Sequence, residues 1–189
     1  MRSALYASVA ILLALPAAAD MPKVAPEGPV WDTSAFAFPG TDKKAKKLGR
    51  SLSGIACPGE MNGPRRCIAV FDEGGEARYV MLDGARMMPQ PEPIALLAGN
   101  GELDAEGAAM DGRFAYVTGS HSRKRDPCVA NPDSRHVYRL TLQSDGRVQQ
   151  SPPPVDDQGR LWDVMSADPV LGPFVDKCLG KDGHGGLPS

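Results

Sequence analysis

The sequence predicts an all-β chain made of repeated antiparallel sheets, and three observations carry that prediction. Short apolar segments recur about every ten residues, each bounded by Gly, Pro or Asp, which is the spacing of a meandering β fold. Asp83-Gly84, Asp111-Gly112 and Asp145-Gly146 are tight-turn pairs, because Gly accepts the positive φ that a hairpin demands. The same strand pattern is also written twice, with Gly54 answered by Gly107 after 53 positions. A repeat of that period points to β-propeller blades or a similar sheet array. The strands suffice for about two blades and part of a third, so the expectation is an incomplete, N-terminal portion of a larger propeller.

The elements follow in order. Residues 1–19 have the three parts of a signal peptide: Arg2, an apolar run from Ala4 to Leu15, and the small-residue stretch Pro16-Ala17-Ala18-Ala19. Residues 20–49 are rich in Pro, Gly and Lys and read as an extended arm, with one strand near Ala35–Phe38 and a solvated basic cluster at Lys43, Lys44, Lys46, Lys47 and Arg50. The propeller-like body occupies residues 50–189. Its first blade runs through Ser51–Cys57, Cys67–Gly74 and Glu76–Leu82. Met87–Pro93 reads as an irregular edge, because proline cannot donate to a central ladder, and Ile94–Leu97 follows it. The second blade runs through Glu102–Gly112, Arg113–His121 and Arg135–Leu142. Ala69–Phe71 and Phe114–Val117 are apolar enough to be inner strands buried on both faces. Leu161–Met165 reads as a further strand, and Asp182–Ser189 as loop.

Export sets the reading of the cysteines. No cysteine follows the cleavage position, so no lipid anchor is expected, and no later segment reaches the roughly eighteen apolar residues of a membrane span. The chain is therefore expected in the periplasm or secreted, without membrane insertion after cleavage. Four cysteines permit three pairings. Cys57 and Cys67 flank the turn-rich loop Pro58–Pro64 between neighbouring strands, which favours Cys57–Cys67 and leaves Cys128–Cys178. A net charge of −2 argues against nucleic acid as a partner.

Certain strand sequences resemble a family of exported bacterial proteins, the domain-of-unknown-function family 3616. They are Ser53-Gly54-Ile55-Ala56-Cys57, Asp104-Ala105-Glu106-Gly107, and Tyr116-Val117-Thr118-Gly119-Ser120-His121-Ser122 followed by Arg123. The resemblance covers about residues 50–142 and implies a β-propeller without an established activity. The Asp-x-Glu-Gly strand is more distantly similar to propellers described as having esterase-like activity of phytase. Members of the family continue into further blades, which this sequence does not do.

Candidate site residues gather where strands end. Asp104 and Glu106 are two apart on a strand, so their carboxylates share a face. Together with Asp72 they form a candidate oxygen-ligand set for Ca²⁺, the one cofactor the sequence suggests. Ser120, His121 and Arg123 are candidate ligand-binding residues beside them. The same Asp and Glu are equally suited to accepting backbone N–H bonds that pin neighbouring blades. Ser120 and Ser122 flank His121, but adjacent strand residues point to opposite faces, which is poor geometry for a nucleophile–base pair. No GxSxG elbow is present. The expected function is an exported module that binds a small molecule or a protein, and the alternative is a Ca²⁺-assisted phosphoesterase of phytase-like type. His136 and His184 carry no assigned role.

Overall fold

Alternating burial at a period of two resolves into eight strands in a computed structural model that describes residues 43–59, 63–99, 101–124, 127–149 and 154–178. The expected signal peptide, the expected strand near Ala35–Phe38 and the expected loop at 182–189 lie outside the described residues. The first sheet is an antiparallel meander of β1 (Leu52–Ala56), β2 (Arg65–Phe71), β3 (Glu76–Asp83) and β4 (Arg86–Ala95), in that spatial order. The second repeats the plan with β5 (Ala105–Met110), β6 (Phe114–Gly119), β7 (Val137–Thr141) and β8 (Val155–Asp156). The fold is thus all-β and blade-like: two four-stranded sheets, with no closed ring among the described residues.

The two sheets meet through their first strands. Gly54 follows a register shift in β1 and Gly107 follows one in β5, so each blade carries its irregularity at the equivalent place. A Cβ on Gly54 would lie 3.1 Å from both Ala108 N and Val70 Cγ2, and 3.2 Å from Gly107 Cα. The repeated glycines therefore mark where the two backbones approach most closely. Ile68, Val70, Ala77, Tyr79 and Ile94 from the first sheet pack with Leu103, Ala105, Ala115, Val117, Tyr138, Leu140 and Val148 from the second. Each fully buried aliphatic among them contributes roughly 1.5–3 kcal/mol of burial free energy. The Val148 N–H donates to Tyr79 Oη at 2.8 Å, so the one polar atom inserted by Tyr79 is satisfied.

The structure bears out some of the finer expectations and corrects others. Cys67 to Phe71 are buried on both faces, because Cys67, Ala69 and Phe71 build a second cluster with Val80, Leu82 and Met87. Phe114–Val117 are not: Ala115 and Val117 point inward, whereas Phe114 and Tyr116 remain half-buried on the outer face. Met87–Pro93 is the irregular edge expected: it lies in the edge strand β4, whose register against β3 shifts between Pro89 and Pro93, and its prolines need no donor on the open side. Leu161–Met165 is helical, within α2 (Arg160–Ala167). Leu161, Val164 and Met165 are spaced i, i+3, i+4, a helical period in a segment too short for its strand-like composition to decide. The arm read as extended carries the short helix α1 (Lys43–Leu48).

Both expected disulfides, Cys57–Cys67 and Cys128–Cys178, are formed. The first closes the β1–β2 connection. The second ties the segment after α2 back to the β6–β7 connection. No helix among the described residues is long and apolar enough to cross a membrane.

Antiparallel order brings one set of strand ends together. The C-terminal ends of β2, β6 and β8 and the N-terminal ends of β5 and β7 lie on the same rim. The Leu103 N–H donates to the Gly74 carbonyl at 2.9 Å, fastening the β2–β3 turn of the first sheet to the start of β5 in the second.

Candidate functional site

Asp72 leaves β2 on this rim, its N–H donating to the Ser51 carbonyl at 2.8 Å. Asp104 stands before β5 with a left-handed φ of 53°, a conformation that costs a residue with a Cβ about 1–3 kcal/mol. Glu106 is exposed at the register shift in β5. Asp72, Asp104 and Glu106 can place one carboxylate oxygen each within 4.8 Å of one another. Two come from one sheet and one from the other, so the trio exists only because the sheets are packed.

Ser120 ends β6 and donates its hydroxyl to Asp104 Oδ2 at 2.5 Å. The Ser122 hydroxyl lies 2.8 Å from that of Ser120 and 3.4 Å from Asp104 Oδ2. Two hydroxyls thus orient one oxygen of Asp104. A hydrogen bond donated by the Asp72 carboxyl to Asp104, reinforced by burial and by the negative charges of Asp104, Glu106 and Glu73, pushes the Asp72 carboxyl up to about 6. Protonated Asp72 beside the Asp104 carboxylate is therefore favoured over the ionised form. Burial raises Glu102 as well, helped by a hydrogen bond and charge repulsion from Glu73. The acidic wall is therefore self-repelling when fully ionised.

A cleft of about 480 Å³ opens over these groups. It is lined by the acids Asp72, Glu73, Glu102 and Asp104 and by the bases Lys47, Arg123, Lys124 and Lys177. Lys47 from α1 pairs with Glu73, and that bond raises its pKa. Arg123 lies on the wall but is held by Asp176 Oδ2 at 2.8 Å and by the Cys128 carbonyl at 3.3 Å.

His121 turns away from this group. It too has a left-handed φ, 52°, and its N–H donates to the Ser134 carbonyl at 3.1 Å. The close passage of Ser134 is allowed by Gly119, where a Cβ would collide with that carbonyl. Burial pushes the His121 imidazole down; the Asp157 charge opposes this and the charges of His136 and Arg135 add to it. Neither ring nitrogen has a hydrogen-bond partner, so no Ser–His nucleophile pair exists with Ser120 or Ser122.

The structure therefore brings Asp72, Asp104, Glu106 and Ser120 together, places Arg123 on the same cleft, and separates His121 from them. Sequence reasoning missed Lys47, Glu102, Asn131 and Lys177 on the cleft. Lys177 arrives only because Cys128–Cys178 returns the chain to the rim. Glu102 had a local signal, being two residues before Asp104 at the head of the same strand.

Residues 76–148 match the family model described as Protein of unknown function (DUF3616). The matched segment runs from β3 past the end of β7 and includes Asp104, Glu106, Ser120, His121 and Arg123; Asp72 and the Ser53–Cys57 sequence lie before it. No curated protein and no solved structure matches the chain.

Proposed function

With the DUF3616 match over residues 76–148 as premise, we propose that the chain is an exported binding module. Its rim cleft holds a divalent cation on Asp72, Asp104 and Glu106 and, through that cation and the basic residues of the cleft, a small anionic molecule. The observation that carries this reading is the convergence of three carboxylates from two sheets beside a cleft that Asp72 and Asp104 share with Lys47, Arg123, Lys124 and Lys177. Oxygen donors of this type suit Ca²⁺, which takes six to eight of them at 2.3–2.6 Å, the remainder being water or ligand oxygens. Bringing a dication to the trio replaces the proton favoured on Asp72 and removes the repulsion among the acids. Lys124 and Lys177 then offer unfilled positive charge to the anion. Export is supported by the leader-like residues 1–19 and the two disulfides, which persist in oxidising compartments.

The test is thermal unfolding of the oxidised chain in Ca²⁺ and in chelator, each with and without inorganic phosphate as the anion. The reading predicts a higher midpoint in Ca²⁺, since saturation at a hundred times Kd adds about 2.7 kcal/mol. It also predicts a further rise with phosphate only when Ca²⁺ is present. A midpoint indifferent to Ca²⁺ would contradict it. The phosphoesterase alternative uses the same cation as a Lewis acid, and the Ser122 hydroxyl on the cleft wall gives it one structural foothold. Chelator-sensitive hydrolysis of a chromogenic phosphate ester would decide in its favour.

A further inference from the structure

Asn131 precedes the short helical turn Pro132–Ser134, a position where an asparagine side chain ordinarily caps the first N–H groups. Here it makes no such cap. Its backbone is pinned instead: the Asn131 carbonyl accepts the Ser134 N–H at 3.2 Å and the Ser134 hydroxyl at 2.9 Å. The same hydroxyl lies 3.0 Å from the Ser122 carbonyl. Ser134 is wholly buried, so it fastens Asn131 to Ser122, whose own hydroxyl is 3.4 Å from Asp104 Oδ2.

Asn131 is only 6% exposed, yet it lines the cleft of about 480 Å³ that Asp72 and Asp104 also line. Its side-chain amide has no hydrogen-bond partner among the described residues. An amide so deeply buried and unpaired calls for a partner from outside the chain. The rest of the lining sets the chemistry of that partner. Every lining residue is charged or polar, whereas small-molecule sites are mostly apolar, so the ligand is hydrophilic throughout. The volume lies in the range of sites that hold a small organic ligand.

A carboxylate or phosphate group that only accepts hydrogen bonds satisfies the Asn131 Nδ2–H groups and leaves Oδ1 without a donor. A hydroxyl donates and accepts, and so serves both ends of the amide. Ca²⁺ makes a parallel demand. Asp72, Asp104 and Glu106 offer one oxygen each towards the six to eight it takes, and hydroxyls beside an anionic group add neutral oxygens. Resting on the cation-site reading above, we propose that the cleft recognises a polyhydroxylated anion, a sugar acid or a polyol phosphate. Asn131 reads its hydroxyls, while the anionic group meets Ca²⁺ and the ammonium groups of Lys124 and Lys177.

The test is calorimetric titration of the oxidised full chain, first with Ca²⁺ alone and then, in saturating Ca²⁺, with two charge-matched pairs of probes. Glucuronate is compared with acetate, and glycerol phosphate with methyl phosphate. The tighter of the two hydroxylated probes identifies the anionic group. Two hydrogen bonds to one amide correspond to a preference of about ten-fold for the hydroxylated member of a pair. Asn131→Ala is expected to shrink that preference to about two-fold or less. Equal affinity within both pairs, no binding of either hydroxylated probe, or equal losses for both members of a pair in Asn131→Ala would overturn the proposal. Ca²⁺ bound without any preference overturns this inference alone, and no Ca²⁺ bound overturns the cation reading with it. The wild-type comparison decides even if Asn131→Ala fails to fold.

Discussion

Asp72→Asn should stabilise the protein at neutral pH and do nothing for it in acid. The Asp72 carboxyl is raised from 3.8 to about 6, first by the hydrogen bond it shares with Asp104 and then by burial and neighbouring acids. The folded state therefore holds a proton that the unfolded state releases near 3.8. Stability contributed by this group is full below about pH 4 and lost as pH rises through about 6, the opposite of an acid held in a salt bridge. Taken at face value the shift corresponds to about 3 kcal/mol, but Asp72 is largely exposed and solvent screening reduces this to about 1 kcal/mol. Glu102 contributes in the same direction, whereas Asp145, Asp157 and Asp168 are lowered and act mainly below pH 4. The difference between wild type and Asp72→Asn isolates the pair. Urea unfolding in chelator at pH 4, 5, 6 and 7 is the assay. The expected gain grows from nil at pH 4 to about 1 kcal/mol at pH 7. A gain independent of pH, or a loss at pH 7, would refute the argument that the folded state raises the Asp72 carboxyl.

Gly54→Ala should cost about 1–3 kcal/mol, because its Cβ meets the backbone of the facing sheet at 3.1–3.2 Å, and thermal unfolding should show a midpoint several degrees lower. Gly107→Ala meets only the Thr118 methyl at 3.3 Å and should cost clearly less in the same assay. Reducing Cys57–Cys67 and Cys128–Cys178, whose partners lie 10 and 50 residues apart, should remove about 3 and about 4 kcal/mol respectively by chain entropy. Cys128→Ser with Cys178→Ser should in addition open the α2 segment to proteolysis ahead of the sheets. Ser120→Ala removes the 2.5 Å donor to Asp104 and should cost about 1.5–3 kcal/mol in urea unfolding, with weaker cation binding measured alongside.

Much of the fold was legible because strands announce themselves locally. Asp-Gly turns and alternating apolar residues place β3 to within one residue at each end and β2, β6 and β7 to within two or three. The repeated glycines were visible as a pattern, but not as the point where the sheets touch, since that contact joins positions far apart in sequence. The helix α2 was misread because five residues with two β-branched or aromatic members satisfy either period. In the site, Asp104 and Glu106 stood out by spacing, and Asp72 by its place at a strand end. Separation of His121 from Ser120 depends on the left-handed backbone at His121, which no neighbouring residue signals. Strand β8 was invisible for another reason: it is two residues long and finds β7 only in the folded sheet.

The central claim is that Asp72, Asp104 and Glu106 act together as a cation site, and calorimetric titration of the oxidised chain with Ca²⁺ tests it most directly. The account predicts one equivalent bound, proton release on binding at pH 6 that falls away by pH 8, and loss of binding in both Asp104→Asn and Glu106→Gln. No heat of binding, or binding that survives either substitution unchanged, would contradict it.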